Sequence, residues 1–297
     1  MTYYDLRTLL AATDFSASSH NAALRAAILS QRFGAKFELI HVLDKKELNE
    51  LQRLLGKNGE MVKEHIQSQT RKLLLQLAHE VGESLGEDAS CHLAEGDIID
   101  SITSQADSVN ADLLIVGMKK PDTIQQRLLG TTTERLLRMT QCPVLSVKQS
   151  PRTTYQSVII PIDFSSWSLD AIHLAQVVAP QAELVLLHAF QIPFEDQIRK
   201  ADEIGDAIQR YKDRIYKEAD TRLQQTATDA GISTRNWKPV VKYGDTVQII
   251  LTQEEEQHAD LIIIGKHGHG VVEEFLLGSN TRKILTHSQC DVLIANH

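Results

Sequence analysis

At 297 residues with 42% hydrophobic and 24% charged residues, the chain has the composition of an ordinary globular protein, long enough for two domains. A net charge of −8 disfavours nucleic acid and anionic membrane surfaces as partners, since both are negative. Three cysteines, Cys91, Cys142 and Cys290, are too few and too scattered for a disulfide framework, and fit a reducing cytoplasm. The opening Met-Thr-Tyr-Tyr-Asp-Leu-Arg has no basic segment followed by an apolar stretch, so no signal peptide is expected, and no apolar run approaches a membrane span.

In chain order, Leu9 to Ala12 reads as a short strand buried on both faces, followed by a helix with Ser16 as N-cap and Gly34 as stop. A second strand ends at His41-Val42. Gly56-Lys-Asn-Gly59 predicts a loop, then a helix with Val62, Ile66, Leu73, Leu77 and Val81 facing inward. A third strand ends near Gly96, a fourth covers Leu113 to Val116, a last helix starts at Gly130, and a last strand covers Val144 to Val147.

The pattern then repeats. Asp14-Phe-Ser16 recurs as Asp163-Phe-Ser165, His41 as His188, Gly96-Asp97 as Gly244-Asp245, Asp112-Leu-Leu-Ile-Val-Gly117 as Asp260-Leu-Ile-Ile-Ile-Gly265, and Cys142 as Cys290, all at offsets of 147 to 149 residues. The second copy predicts a helix with Ile204, Ile208, Tyr211 and Ile215 on one face, and a last strand from Val292 to Ala295. We expect domains at 1–148 and 155–297, joined by a polar linker at 149–154. Five strands with intervening helices imply a parallel, right-handed, doubly wound α/β sheet in each. Ligands on such sheets sit at the carboxyl ends of the strands, near the switch point.

One such loop carries chemistry. Gly265-Lys-His-Gly268, nine residues, then Gly278-Ser279 is a strand end, a glycine-rich loop and a helix start. Glycines allow close backbone approach and positive φ, and helix-start amides favour a phosphate. The spacing matches neither a Walker A loop nor a dinucleotide fingerprint. In the first copy Lys120 stands where Gly268 stands in the second, followed by Pro121, so that loop is degenerate; Lys119 and Lys120 could alternatively draw in phosphate.

This arrangement resembles the ATP-binding branch of the universal stress protein family, over essentially the whole chain. The resemblance implies two tandem Rossmann-like domains of the adenine nucleotide alpha hydrolase type, each with a five-stranded parallel sheet flanked by helices. It implies that Asp163 and Pro161 meet the adenosine, that Ala189 touches the base, and that Gly265, Gly268, Gly278 and Ser279 cradle ribose and phosphates, with Asn280 and Thr281 adding donors. Asp14, Val42, Gly117, Gly130 and Thr131 would form a weak first-domain site. ATP as ligand, with Mg²⁺ on its phosphates, and pairing of the last strands into an internal pseudo-dimer follow from the same resemblance, as does a homodimer of the tandem chain. The expected role is a cytoplasmic stress-response sensor. Two alternatives stay open: an interaction protein that binds another small molecule or a protein, and a slow ATPase or nucleotidyl transferase.

Bland readings compete with these. Asp14 and Asp163 are also suited to capping a β-to-α turn, and His41 and His188 to hydrogen bonding with backbone. His267 and His269 form an HxH without a completing ligand set. Glu254-Glu-Glu256 reads as a solvated helix face, and Cys142 and Cys290 as packing.

Overall fold

The computed structural model describes residues 5–83, 89–119, 131–151, 153–192, 205–232, 236–266 and 277–296. The first half runs β1 (Thr8–Ala12), α1 (Ala17–Phe33), β2 (Lys36–Asp44), α2 (Lys45–Leu55), α3 (Gly59–Gly82), β3 (Ser90–Gly96), α4 (Ile98–Ser108), β4 (Leu113–Gly117), α5 (Thr131–Met139) and β5 (Val144–Val147). The second runs β6 (Ser157–Pro161), α6 (Ser166–Val178), β7 (Glu183–Phe190), α7 (Gly205–Asp229), β8 (Trp237–Tyr243), α8 (Thr246–Glu256), β9 (Leu261–Gly265), α9 (Ser279–His287) and β10 (Asp291–Ala295).

All ten strands form one sheet in the order β3-β2-β1-β4-β5-β10-β9-β6-β7-β8. Each half is parallel within itself, with its first strand next to its fourth at the switch point. The halves meet where β5 runs antiparallel to β10, with Leu145 opposite Leu293 and Val144 opposite Ile294. The internal pairing of the last strands is therefore present. It removes two apolar edges from solvent.

Alternate residues of each strand feed two apolar layers. Leu9, Ala11, Leu145 and Leu293 face one layer, Leu10, Val144, Val292 and Ile294 the other, and both layers run unbroken across the junction.

The caps of α1 are as expected: Ser16 accepts from the Ser19 amide, and Gly34 takes the left-handed conformation at φ 63°. Three expectations need correction, and one helix is new. α2 was not foreseen; Asp44 starts it by accepting from the Lys46 amide at 2.7 Å. In α3 the buried positions include Leu74, Leu77 and Val81, whereas Leu73 is exposed. In α7, Tyr211 is exposed, and the buried stripe runs Ile208, Ala219, Leu223 and Ala227; Ile204 lies outside the described residues. Glu254 is buried rather than solvated, because its Oε1 accepts from the Gln289 and Cys290 amides at 2.6 Å each.

The segment between the halves is tied down as well. Asp291 is fully buried; its Oδ1 accepts from the Lys148 and Gln149 amides at 2.8 and 3.1 Å, and its Oδ2 from the Tyr155 hydroxyl at 2.7 Å. The Arg25 guanidinium lies 4.0 Å over the Tyr155 ring and donates to the Thr153 carbonyl at 2.7 Å. Burial, then Asp291, holds the Tyr155 phenol far above its ordinary pKa, so it remains a donor.

Candidate functional site

A cavity of about 350 Å³ opens at the carboxyl ends of β6, β7 and β9, between the amino ends of α6, α8 and α9. Its size is that of a small-molecule site. Leu187, Ala189, Ile250 and Ile264 line it with apolar surface; Asp163, Ser168, His188, Thr246 and Ser279 add polar atoms.

Of the positions singled out in the second half, Pro161, Asp163, Ala189, Gly265, Gly278, Ser279, Asn280 and Thr281 all line this one cavity. Gly268, His267 and His269 lie outside the described residues. Trp167, Thr246, Ile250 and Ile264 also line it and were not anticipated. Thr246 and Ile250 are one helical turn apart in α8, directly after Gly244-Asp245, so the repeat of that pair was the available signal.

Asp163 sits in the turn into α6. Its Oδ1 accepts from the Ser165 amide at 3.0 Å, the Ser165 hydroxyl at 2.6 Å and the Ser168 hydroxyl at 2.8 Å. Asp163 is thus a turn-capping acid and a cavity residue at once. In the first half Asp14 accepts from the Ser16 amide at 3.0 Å. Burial pushes the Asp14 pKa up, but hydrogen bonds from Ser16 and Ser19 together outweigh it and hold it below the ordinary aspartate value.

Between these residues the backbone is strained in both halves: Phe15 and Phe164 both have φ 62°. A side chain there costs about 1–3 kcal/mol. Tertiary contacts hold each turn. Phe15 lies 4.5 Å from the His41 ring and Phe164 4.6 Å from the His188 ring. In the second half the Arg222 guanidinium also covers Phe164 at 3.9 Å. The histidines bond to backbone, as the bland reading expects. Nδ1 of His188 is 2.8 Å from the Ile162 carbonyl oxygen, and Nδ1 of His41 is 2.8 Å from that of Thr13. Burial holds both imidazoles below the ordinary histidine pKa, against the hydrogen bond to backbone that raises it.

At α9, Gly278 is the N-cap and no side chain caps the first turn. Its φ is −55°, so the backbone does not demand glycine here. A Cβ would meet Thr281 Oγ1 at 3.4 Å and the Lys266 carbonyl oxygen at 3.6 Å, ordinary contact distances. The Thr281 hydroxyl is committed to the Gly265 carbonyl at 3.3 Å, which leaves its amide, not its side chain, as a donor toward the cavity.

In the first half the glycine that ends β4 is tightly packed. A Cβ on Gly117 would lie 2.3 Å from the Ser18 carbonyl carbon and 2.4 Å from the Ser19 nitrogen. Backbone of α1 therefore presses on the end of β4, and packing alone explains this glycine. Val42 lies in β2 and packs against the core; Thr131 opens α5; Lys120 and Gly130 lie outside the described residues.

Among the described residues no group of three His, Cys, Asp or Glu is placed to hold a metal ion. No described helix is long and apolar enough to cross a membrane.

A sequence model of the universal stress protein family matches residues 6–148 and again 154–296. Universal stress protein G of Salmonella typhimurium is 28% identical over 143 residues, which is 47% of this chain and 98% of the relative. Universal stress protein Rv1636 of Mycobacterium tuberculosis is 27% identical over 153 residues, 48% of this chain and 98% of the relative. A universal stress protein structure from Archaeoglobus fulgidus shares the fold of both halves, with a TM-score of 0.74, 18% identity, and coverage of 97% of this chain and 98% of that one. The chain belongs to the universal stress protein family, as a tandem member with one family domain in each half.

Proposed function

We propose that the second half binds ATP or a related adenine nucleotide and that the chain acts as a cytoplasmic stress-response regulator read through that ligand. One observation carries the reading: three helices begin at a single cavity that Leu187, Ala189, Ile250 and Ile264 also line. Helix amino ends favour phosphate, and α9 starts at a glycine with no side chain competing for its amides. Leu187, Ala189, Ile250 and Ile264 suit the faces of a purine, and the Asp163 carboxylate suits ribose hydroxyls. Gly265, Gly278, Ser279 and Asn280 would hold the phosphates, and Gly268 belongs to the same loop. Any Mg²⁺ would ride on the phosphates, since Asp163 is the one carboxylate among the described residues that line the cavity. No described histidine or carboxylate pair is set up as a general base, so turnover is expected to be slow.

The first half is proposed to bind nucleotide poorly, with Lys120 in place of the loop glycine. Isothermal titration of the intact chain with ATP, with and without Mg²⁺, should give one site per chain. Two sites would refute the asymmetry, and absence of binding to ATP, ADP and AMP would refute the reading. Rapid phosphate release by the pure protein would move the chain to the enzyme class.

A further inference from the structure

The junction between the halves is symmetric in its backbone register. Leu145 of β5 lies opposite Leu293 of β10, and the two numbers differ by 148, the repeat spacing itself. Val144 faces Ile294 and Ser146 faces Val292, the same equivalent positions taken crosswise. Such a ladder maps onto itself by a two-fold axis. Its N–H and C=O groups would serve two first halves, or two second halves, as well as they serve this pair. The backbone therefore does not choose the partner.

The side chains around it are not symmetric. Arg25 of α1 is 5% exposed, and its Nε lies 3.4 Å from Oδ2 of the fully buried Asp291 on β10. The repeat puts Leu174 where Arg25 stands and Pro143 where Asp291 stands. Glu134 of α5 lies 3.4 Å from Arg282 of α9, and these two positions are again 148 apart. Equivalent positions that touch lie beside the axis, and here they carry opposite charges.

A buried charge deprived of its partner is costly. Two second halves joined by this edge would bring in two Asp291 carboxylates without Arg25 and set Arg282 against Arg282. Two first halves would leave two Arg25 guanidiniums without a carboxylate and set Glu134 against Glu134. An unlike pair balances every one of these charges.

We propose that Arg25–Asp291 and Glu134–Arg282 form a recognition code at the junction: the last-strand edge of either half accepts an unlike half, its own or that of a second copy, and refuses a like one. The ladder and the apolar layers supply adhesion, and the charges specify the partner.

The test cuts the chain once, at a protease site inserted after the exposed Ser150, and keeps both products together. Ordinary and heavy-isotope preparations are mixed, unfolded in urea and refolded as one sample. The halves differ in mass, so native mass spectrometry separates unlike pairs from like ones, and the label shows that partners have exchanged. Unlike pairs should make up nearly all of the product. Like pairs at about half of the total, the share expected without preference, overturn the proposal. The same experiment on a chain carrying Arg25→Leu, Asp291→Asn, Glu134→Gln and Arg282→Gln should raise like pairs toward that share. If this variant still forms unlike pairs alone, charge is not the code. Where the cut chain does not refold, the uncut chain decides. Arg25→Leu and Asp291→Asn should each lower the urea midpoint, and together by less than the sum of the two shifts. Simple additivity there would mean that the two charges do not depend on each other, and the proposal fails.

Discussion

The Lys148 ammonium donates to the Leu285 carbonyl oxygen at 2.7 Å, from the end of one half into the last turn of a helix in the other. It also donates to the Ser288 carbonyl at 2.9 Å and the Ser288 hydroxyl at 2.6 Å. Three donors thus meet three acceptors at the negative end of α9. The other half has its counterpart: Asn296 donates to the carbonyls of Thr140 and Cys142 at 3.0 and 2.8 Å. The buried lysine is balanced locally and ties α9 to the linker.

Lys148→Met keeps the bulk and removes the donors, leaving buried helix-end carbonyls unsatisfied. It should cost about 2–3 kcal/mol in urea unfolding. A lower m-value or a second transition would mean that the halves had come to unfold separately.

Gly117→Ala and Gly278→Ala should behave as opposites. At Gly117 the new Cβ would collide with α1 backbone, so stability should fall by about 2–3 kcal/mol. At Gly278 the Cβ has room in the protein itself, so stability should stay within about 1 kcal/mol. Nucleotide affinity should nonetheless fall severalfold, because the methyl group stands where phosphate would approach the helix. Unchanged affinity in a folded Gly278→Ala protein counts against the phosphate site.

Asp163→Asn preserves an oxygen acceptor for Ser165 and Ser168 while removing the charge. Tm should change by only a few degrees, and affinity for adenosine nucleotides should drop about fivefold to tenfold. A matching Asp14→Asn change should leave nucleotide binding as it is.

His41 and His188 give stability a defined pH dependence. Their folded pKa values lie below the ordinary 6.5, so in the window beneath 6.5 the unfolded chain binds more protons than the folded one. Stability is therefore full above 6.5 and declines as pH falls from there toward the folded values. Urea midpoints between pH 7.5 and 5 should fall, and His188→Gln should flatten the decline. The opposite slope would contradict the burial of these rings.

Much of the fold was legible locally. Short apolar runs bounded by Gly, Ser or Asp gave the strands, and the Ser16 and Gly34 caps bounded α1 because both signals lie in contiguous residues. Tyr211 failed because a helix reads its inward face from its neighbours, and the spacing from Ile208 fits either side of that stripe. Eight of the nine second-half site positions are described, and they converge on one cavity. Ile250 reaches the same cavity one turn into α8, where the only local signal is the repeated Gly244-Asp245 pair before the helix.

The sequence by itself determined the duplication, the parallel order within each copy and the loops that face the switch point, because periodicity and repeat spacing are local properties. Tertiary structure alone decided which charges go inside. Glu254 meets amides 35 and 36 residues away, and Asp291 meets Lys148, Gln149 and Tyr155 more than 130 residues away. A carboxylate or ammonium is buried only when such partners meet it at hydrogen-bond distance, and that condition is set by the packed chain, not by its neighbours in sequence.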